Sequence, residues 1–278
     1  MNAERVVQTG IEGDKTARLK DWLDGRGIKA VLFDLDDTLL DTSVVHEEQK
    51  ERFTDYIVQN APDIDRERLL RIVDEADGAA FQSHSVSIHR YIAMTDLIAS
   101  RFPDKDPQLF YEGGGFLLGT YSRVPKFFPG AKETIRMFRA AIPKLGLVTH
   151  SNKEWTKLKV KTHGLDKLVD HIEVIDENGP KDAAGWARAI AALGVYPDEV
   201  LVIGDSVPGD VLAPRQAGVE HIINLKSPWA EYREGVIPDG VMQVNSIRDV
   251  IPAILSELPR SQHPQRPRGG GVRPDPPR

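Results

Sequence analysis

The 278-residue sequence contains no cysteine. That alone excludes disulfides, zinc–thiolate centres and thiol nucleophiles. No apolar run approaches the roughly 20 residues that a membrane-crossing helix needs. The first residues, Met1-Asn2-Ala3-Glu4-Arg5, lack the apolar stretch of a signal peptide. A basic excess is missing too: the formal net charge is −6, the opposite of a nucleic-acid footprint. These absences lead us to expect a cytoplasmic protein with no nucleic-acid and no membrane partner. What is present suffices for a sizeable core. Hydrophobic residues make up 40% of the chain, which fits one large domain or one with an insert.

Residues 1–28 are polar and charged, with Leu19, Trp22, Leu23 and Ile28 at loosely helical spacing. This predicts a frayed start, one short helix and a turn at Gly25 and Gly27. Ala30–Leu35 reads as a buried strand. From Val44 to about Arg123 the pattern is helical, with Leu69, Ile72, Val73 and Ala76 at i, i+3, i+4 and i+7. Gly113-Gly114-Gly115 interrupts it and reads as a turn, since no strand precedes it to make a phosphate loop. Beyond Gly130, helices alternate with short apolar runs: Leu145–Val148, Ile172–Val174, Val200–Ile203 and Ile222–Ile223. A last helix is expected around Ile247–Leu258. Such alternation predicts an α/β fold with a parallel, doubly wound sheet. Residues 259–278, rich in Pro, Arg and Gly, read as a disordered tail.

In an open parallel sheet, ligands bind at the carboxyl ends of the strands. The residues able to carry chemistry fall there. Asp34 and Asp36 follow the first strand, and Thr149, His150, Ser151 and Asn152 the second. Lys181 follows the third, and Asp205 and Asp210 the fourth. Two carboxylates ending a buried strand need a cationic partner. A few carboxylates, several waters and a substrate phosphate are what Mg²⁺ prefers. A carboxylate beside such an ion can attack phosphorus, the metal screening the repulsion between anions. A second carboxylate can protonate the leaving oxygen and then activate water.

These residues resemble the haloacid dehalogenase superfamily, whose four motifs occur here in order. Asp-x-Asp-x-Thr stands as Asp34-Leu35-Asp36-Asp37-Thr38, and the strand-ending threonine as Leu147-Val148-Thr149. The lysine before a helix fits Lys181. Gly-Asp-x-x-x-x-Asp runs from Gly204-Asp205 to Asp210. The resemblance covers roughly residues 29–43 and 125–255. It implies that Asp34 is the nucleophile and a Mg²⁺ ligand. Asp36 would be the general acid/base, with its backbone carbonyl on the metal. Asp205 would be a further ligand, and Asp210 would act from behind, through water or by orienting Lys181. Thr149 and Lys181, with His150 beside them, would hold the phosphate.

The family likeness also implies a Rossmann-like core (29–43 and 125–258), an N-terminal extension (1–28) and an α-helical cap inserted at 44–124. Relatives often carry Asn where His150 stands, and their lysine is often followed by proline, whereas Pro180 precedes Lys181 here. Members that cleave carbon–halogen bonds lack an acid at the position of Asp36. Its presence favours phosphoryl transfer. The expected activity is Mg²⁺-dependent hydrolysis of a small-molecule phosphate monoester through an aspartyl-phosphate. The alternatives are a phosphomutase acting on a sugar phosphate and a non-catalytic binding protein that keeps the fold. Within and next to the cap, His84, His89, Arg90, Arg123 and Lys126 are candidates for substrate contact, against the plainer reading of solvated surface residues.

Overall fold

The computed structural model describes residues 3–226 and 235–258, with side chains from residue 13 onward. The tail expected at 259–278 lies outside the described residues. The first helix, α1 (Ala3–Gly25), leads to strand β1 (Ala30–Phe33). Four helices follow: α2 (Thr42–Asn60), α3 (Arg66–His84), α4 (His89–Ser100) and α5 (Pro107–Leu118). Then α6 (Ala131–Ala141), β2 (Lys144–His150), α7 (Lys153–His163), β3 (His171–Ile175), α8 (Ala183–Leu193) and β4 (Val200–Gly204) alternate. A π-helical turn (Val207–Leu212) runs into α9 (Ala213–Gln216). Strands β5 (His221–Leu225) and β6 (Met242–Val244) and helix α10 (Val250–Ser256) complete the described chain.

The six strands form one parallel sheet in the order β3-β2-β1-β4-β5-β6. This is the α/β, doubly wound arrangement the alternation predicts. Strand β1, Ala-Val-Leu-Phe, is buried at every residue, because helices cover both faces of a parallel sheet. Val31 and Phe33 pack with Phe138 of α6, Leu23 of α1 and Ile254 of α10. Ala30 and Leu32 face the other way, into a cluster with Trp186 and Ile190 of α8. Phe33 lies level with Leu147 on one side and Ile203 on the other. The central strands therefore end together, at one edge of the sheet.

The helices between β1 and α6 have a hydrophobic cluster of their own, built around Phe53, Leu69, Tyr91 and Phe110. The glycine triplet is not a turn: Gly113–Gly115 lies inside α5. A Cβ at Gly113 would stand 3.1 Å from Phe53 and Ile57, and one at Gly114 only 2.9 Å from Thr95 Oγ1. Glycine there lets α5 approach α2 and α4 closely, which outweighs its poor helix propensity of about 1 kcal/mol per residue.

Other differences are smaller. Helix α1 has 23 residues, longer than the short helix expected, and its last turns pack into the core. Leu19, Trp22 and Leu23 pack there, and Trp22 Nε1 donates to Glu257 at 2.9 Å. Strand β1 stops at Phe33 rather than Leu35. Strand β6, three residues long, is too short to show a period. The crossover between β4 and β5 is a π-helical turn and one turn of α-helix rather than a longer helix. Among the described residues, no helix is long and apolar enough to cross a membrane.

Candidate active site

Past Phe33 the chain leaves the sheet in a tight turn. The Leu39 and Leu40 N–H groups both donate to the Leu35 carbonyl, at 3.0 Å each. Asp37 takes a left-handed φ of 59°, a conformation a short polar side chain tolerates. Its carboxylate accepts the Ser43 N–H at 2.8 Å and so ties the turn to the start of α2. This geometry buries Asp34, which is 5% exposed.

Asp34 meets the end of β4. Asp34, Asp205 and Asp210, all buried, offer carboxylate oxygens within 4.8 Å of one another. Lys181 Nζ lies 2.5 Å from Asp34 Oδ1 and 2.6 Å from Asp210 Oδ1. Asp210 Oδ2 accepts the N–H groups of Asp205 and Ser206, at 3.2 and 2.9 Å, and Thr38 Oγ1 donates to Asp205 at 3.3 Å. Gly204 is required at this crossing: a Cβ there would sit 2.5 Å from the Asp210 side chain. Lys181 runs along Gly209, whose carbonyl accepts from Trp186 Nε1 at 2.8 Å.

One atom in this cluster stands out. Asp34 Oδ2 is buried and has no hydrogen-bond partner. Burial pushes the Asp34 carboxyl up to about 7; Lys181 pulls against this and Asp210 adds to it. A buried carboxylate oxygen without a partner is costly. Burial also opposes the charge of Lys181, but Asp210 and Asp34 outweigh it and hold its ammonium above the ordinary range. Three carboxylates converging around such an oxygen match the oxygen-only donor set of a hard dication.

The Asp36 carboxylate is not part of this group. It faces α7, where Lys159 Nζ donates to both of its oxygens at 2.6 and 2.7 Å. Thr42 Oγ1 donates to Asp36 at 2.6 Å, and Thr149 Oγ1 at 3.3 Å. Burial raises the Asp36 carboxyl, but Lys159 and Thr42 outweigh it and hold the group below the usual carboxylate range. The sequence reading missed Lys159. A signal was available: it follows the buried Trp155 by four residues and so shares the inward face of α7. Its ammonium lies 4.0 Å from the Trp155 ring centroid.

Beside Asp36 opens a cavity of about 130 Å³. Asp36, His150, Ser151 and Trp155 line it from the sheet side, and His46, Arg90, Tyr91 and Tyr121 from the helices between β1 and α6. His150 Nε2 is buried there without a partner. Burial, with Lys181 nearby, keeps the His150 ring's affinity for a proton low. Of the five candidate contacts from the helical segment, Arg90 lines this cavity. His84, His89, Arg123 and Lys126 do not. The structure thus brings Asp34, Asp205, Asp210 and Lys181 into one cluster. It sets Asp36 and Thr149 in a second one with Lys159, and His150 at the cavity wall.

Comparisons with known proteins give the family and the fold. A family model described as haloacid dehalogenase-like hydrolase matches residues 28–218. The glyceraldehyde 3-phosphate phosphatase of Pyrococcus furiosus is 25% identical over 216 residues, covering 74% of this chain and 82% of that protein. The phosphorylated carbohydrates phosphatase of Thermotoga maritima is 24% identical over 200 residues, covering 71% of this chain and 85% of its own length. Among solved structures, a haloacid dehalogenase-like family hydrolase from Xanthomonas campestris superposes with a TM-score of 0.63 at 18% identity. That match covers 83% of this chain and 97% of that one, and shows the shared fold.

Proposed function

This chain belongs to the haloacid dehalogenase-like hydrolase family, and from that premise we propose that it is a Mg²⁺-dependent phosphatase acting on small-molecule phosphate monoesters. The observation that carries the reading is Asp34 Oδ2, a buried carboxylate oxygen without a partner among Asp205, Asp210 and Lys181. The two phosphatase relatives, one of them named for a triose phosphate and the other for phosphorylated carbohydrates, support a sugar- or triose-phosphate substrate.

Asp34 attacks phosphorus, and the bond from phosphorus to the leaving oxygen breaks. Asp36, after releasing one oxygen from Lys159 and taking up a proton from solvent, delivers that proton to the leaving oxygen, so a neutral alcohol departs. The resulting aspartyl-phosphate on Asp34 is then hydrolysed, with Asp36 taking a proton from the attacking water. Lys181 offsets negative charge beside Asp34 throughout. Between turnovers Lys159, Thr42 and Thr149 hold the ionised Asp36 in a single orientation. Asp34 and Asp205, with the Asp36 carbonyl, would hold Mg²⁺, and Asp210 anchors Lys181 beside them. The ion, when bound, screens the charge of nucleophile and phosphate. The helices between β1 and α6 would act as a cap that closes the cavity against bulk water.

The test is phosphate release from a panel of sugar and triose phosphates, with Mg²⁺ and with chelator, paired with calorimetric titration of Mg²⁺. Wild type should release phosphate only with the ion. Asp34→Asn should abolish release, and Asp205→Asn should weaken Mg²⁺ binding at least about tenfold, the scale expected for losing a charged contact. Release that survives Asp34→Asn would overturn the assignment of the nucleophile.

A further inference from the structure

The cavity beside Asp36 has walls of two kinds. One is an aromatic corner. Tyr121 packs edge-on against Trp155 with ring centroids 5.4 Å apart, Tyr91 against Tyr121 at 5.8 Å, and His46 against Trp155 at 5.8 Å. Such a surface suits the carbon face of a small molecule. The other wall is ionic. Among the described residues that line the cavity, Arg90 is the one permanent cation, against Asp36, Asp37, Glu47 and Asp77. The Arg90 charge is already matched. Its Nη2 and Nε lie 2.6 and 2.8 Å from Asp77 Oδ1, and its guanidinium lies 5.0 Å from the Phe81 ring centroid.

The remaining polar lining is uncharged: two imidazoles, His46 and His150, and the hydroxyls of Thr42, Ser43, Ser151 and the two tyrosines. His46 bonds to the Tyr91 hydroxyl through Nδ1. His150 also lines the cavity, and its Nε2 is buried without a partner. Burial lowers the proton affinity of both rings, His46 down to about 3 with Arg90 adding to the effect, and His150 with Lys181 adding to it. A neutral imidazole offers one donor and one acceptor, which suits a hydroxyl or carbonyl. It does not compensate an anion.

We propose that this cavity selects esters whose leaving group is uncharged and bears hydroxyl or carbonyl oxygens, and that the Arg90–Asp77 pair and His150 set the choice. A leaving group with its own carboxylate or second phosphate is rejected, because it would be desolvated where the cations at and behind the wall are already engaged: Arg90 by Asp77, Lys159 by Asp36, and Lys50 by Glu47, Asp74 and Asp77. The proposal rests on the phosphatase reading above and narrows its substrate class. It also separates the protein from a phosphomutase, which must hold a bisphosphate.

The experiment compares glycerol 3-phosphate, 3-phosphoglycerate and 1,3-propanediol bisphosphate as substrates of the wild-type protein, with p-nitrophenyl phosphate as a general reporter. These share a three-carbon skeleton and differ in the group at its far end. Glycerol 3-phosphate should exceed both anionic esters in kcat/KM by about a hundredfold, the ratio that an uncompensated buried charge of a few kcal/mol produces. Asp77→Asn, and independently Asp77→Ser, should release the guanidinium and narrow that ratio at least about tenfold by raising turnover of 3-phosphoglycerate. Anionic esters turned over as well as glycerol 3-phosphate by wild type would overturn this proposal and leave the phosphatase reading standing. No turnover of any ester, p-nitrophenyl phosphate included, would overturn the phosphatase reading and this one with it.

Discussion

Lys159 and Asp36, 123 residues apart in sequence, form a two-pronged ion pair in which one ammonium serves both carboxylate oxygens. The Lys159 side chain is fully buried and that of Asp36 is 17% exposed. The lysine also donates to Ser151 Oγ at 3.3 Å. It therefore couples α7 to the turn after β1. Breaking such a pair from one side leaves a charge stranded in a poorly solvated place.

Lys159→Met should accordingly lower stability by about 3 kcal/mol, the lower end for a broken buried pair, since Thr42 and Thr149 still hold Asp36. It should lower kcat/KM by about a hundredfold, within the range for disturbing a general acid/base. Adding Asp36→Asn to Lys159→Met should restore part of the stability and none of the activity. Urea unfolding and steady-state kinetics on the three variants check both parts.

Stability should decline as pH falls below neutrality, with His46 one source. Burial brings His46 down to about 3 in the folded protein, while an unfolded chain titrates it near 6.5. Between these values the unfolded chain binds one more proton than the folded one. The folded state therefore loses about 1.4 kcal/mol per pH unit on acidification across that window, and nothing from this group above about pH 7. Unfolding free energies at pH 7 and pH 5 should differ less in His46→Gln than in wild type. An unchanged difference would remove His46 from the account.

The glycine triplet gives a contrast within one helix. A Cβ added at Gly115 would meet nothing within 4 Å, whereas one at Gly114 would stand 2.9 Å from Thr95 Oγ1. Gly115→Ala should stabilise by about 0.5–1 kcal/mol through helix propensity. Gly114→Ala should destabilise by about 1–2 kcal/mol, overpacking outweighing the same gain. Thermal melts of the two variants read the sign directly.

Much of the architecture was legible from local pattern. Apolar runs alternating with helices gave the parallel sheet, and Asp34, Asp205 and Lys181 could be set at its carboxyl edge because each comes after a short apolar run, Lys181 through a loop. The triplet Gly113–Gly115 was misread because glycine's weak propensity is a local property, while the close approach of α5 to Phe53, Ile57 and Thr95 is not.

What the chain determines by itself is the order and type of its elements, since burial period and strand-ending carboxylates are written in neighbouring residues. Only the tertiary structure decided how those carboxylates divide. Asp34 joins Asp205, Asp210 and Lys181, while Asp36, two residues on, turns to Lys159. The pairing of Arg90 with Asp77 at the cavity wall was equally out of reach. The physical reason is that partner choice depends on distance in space and on shared burial. In a parallel sheet, every such partner arrives from a different strand or helix.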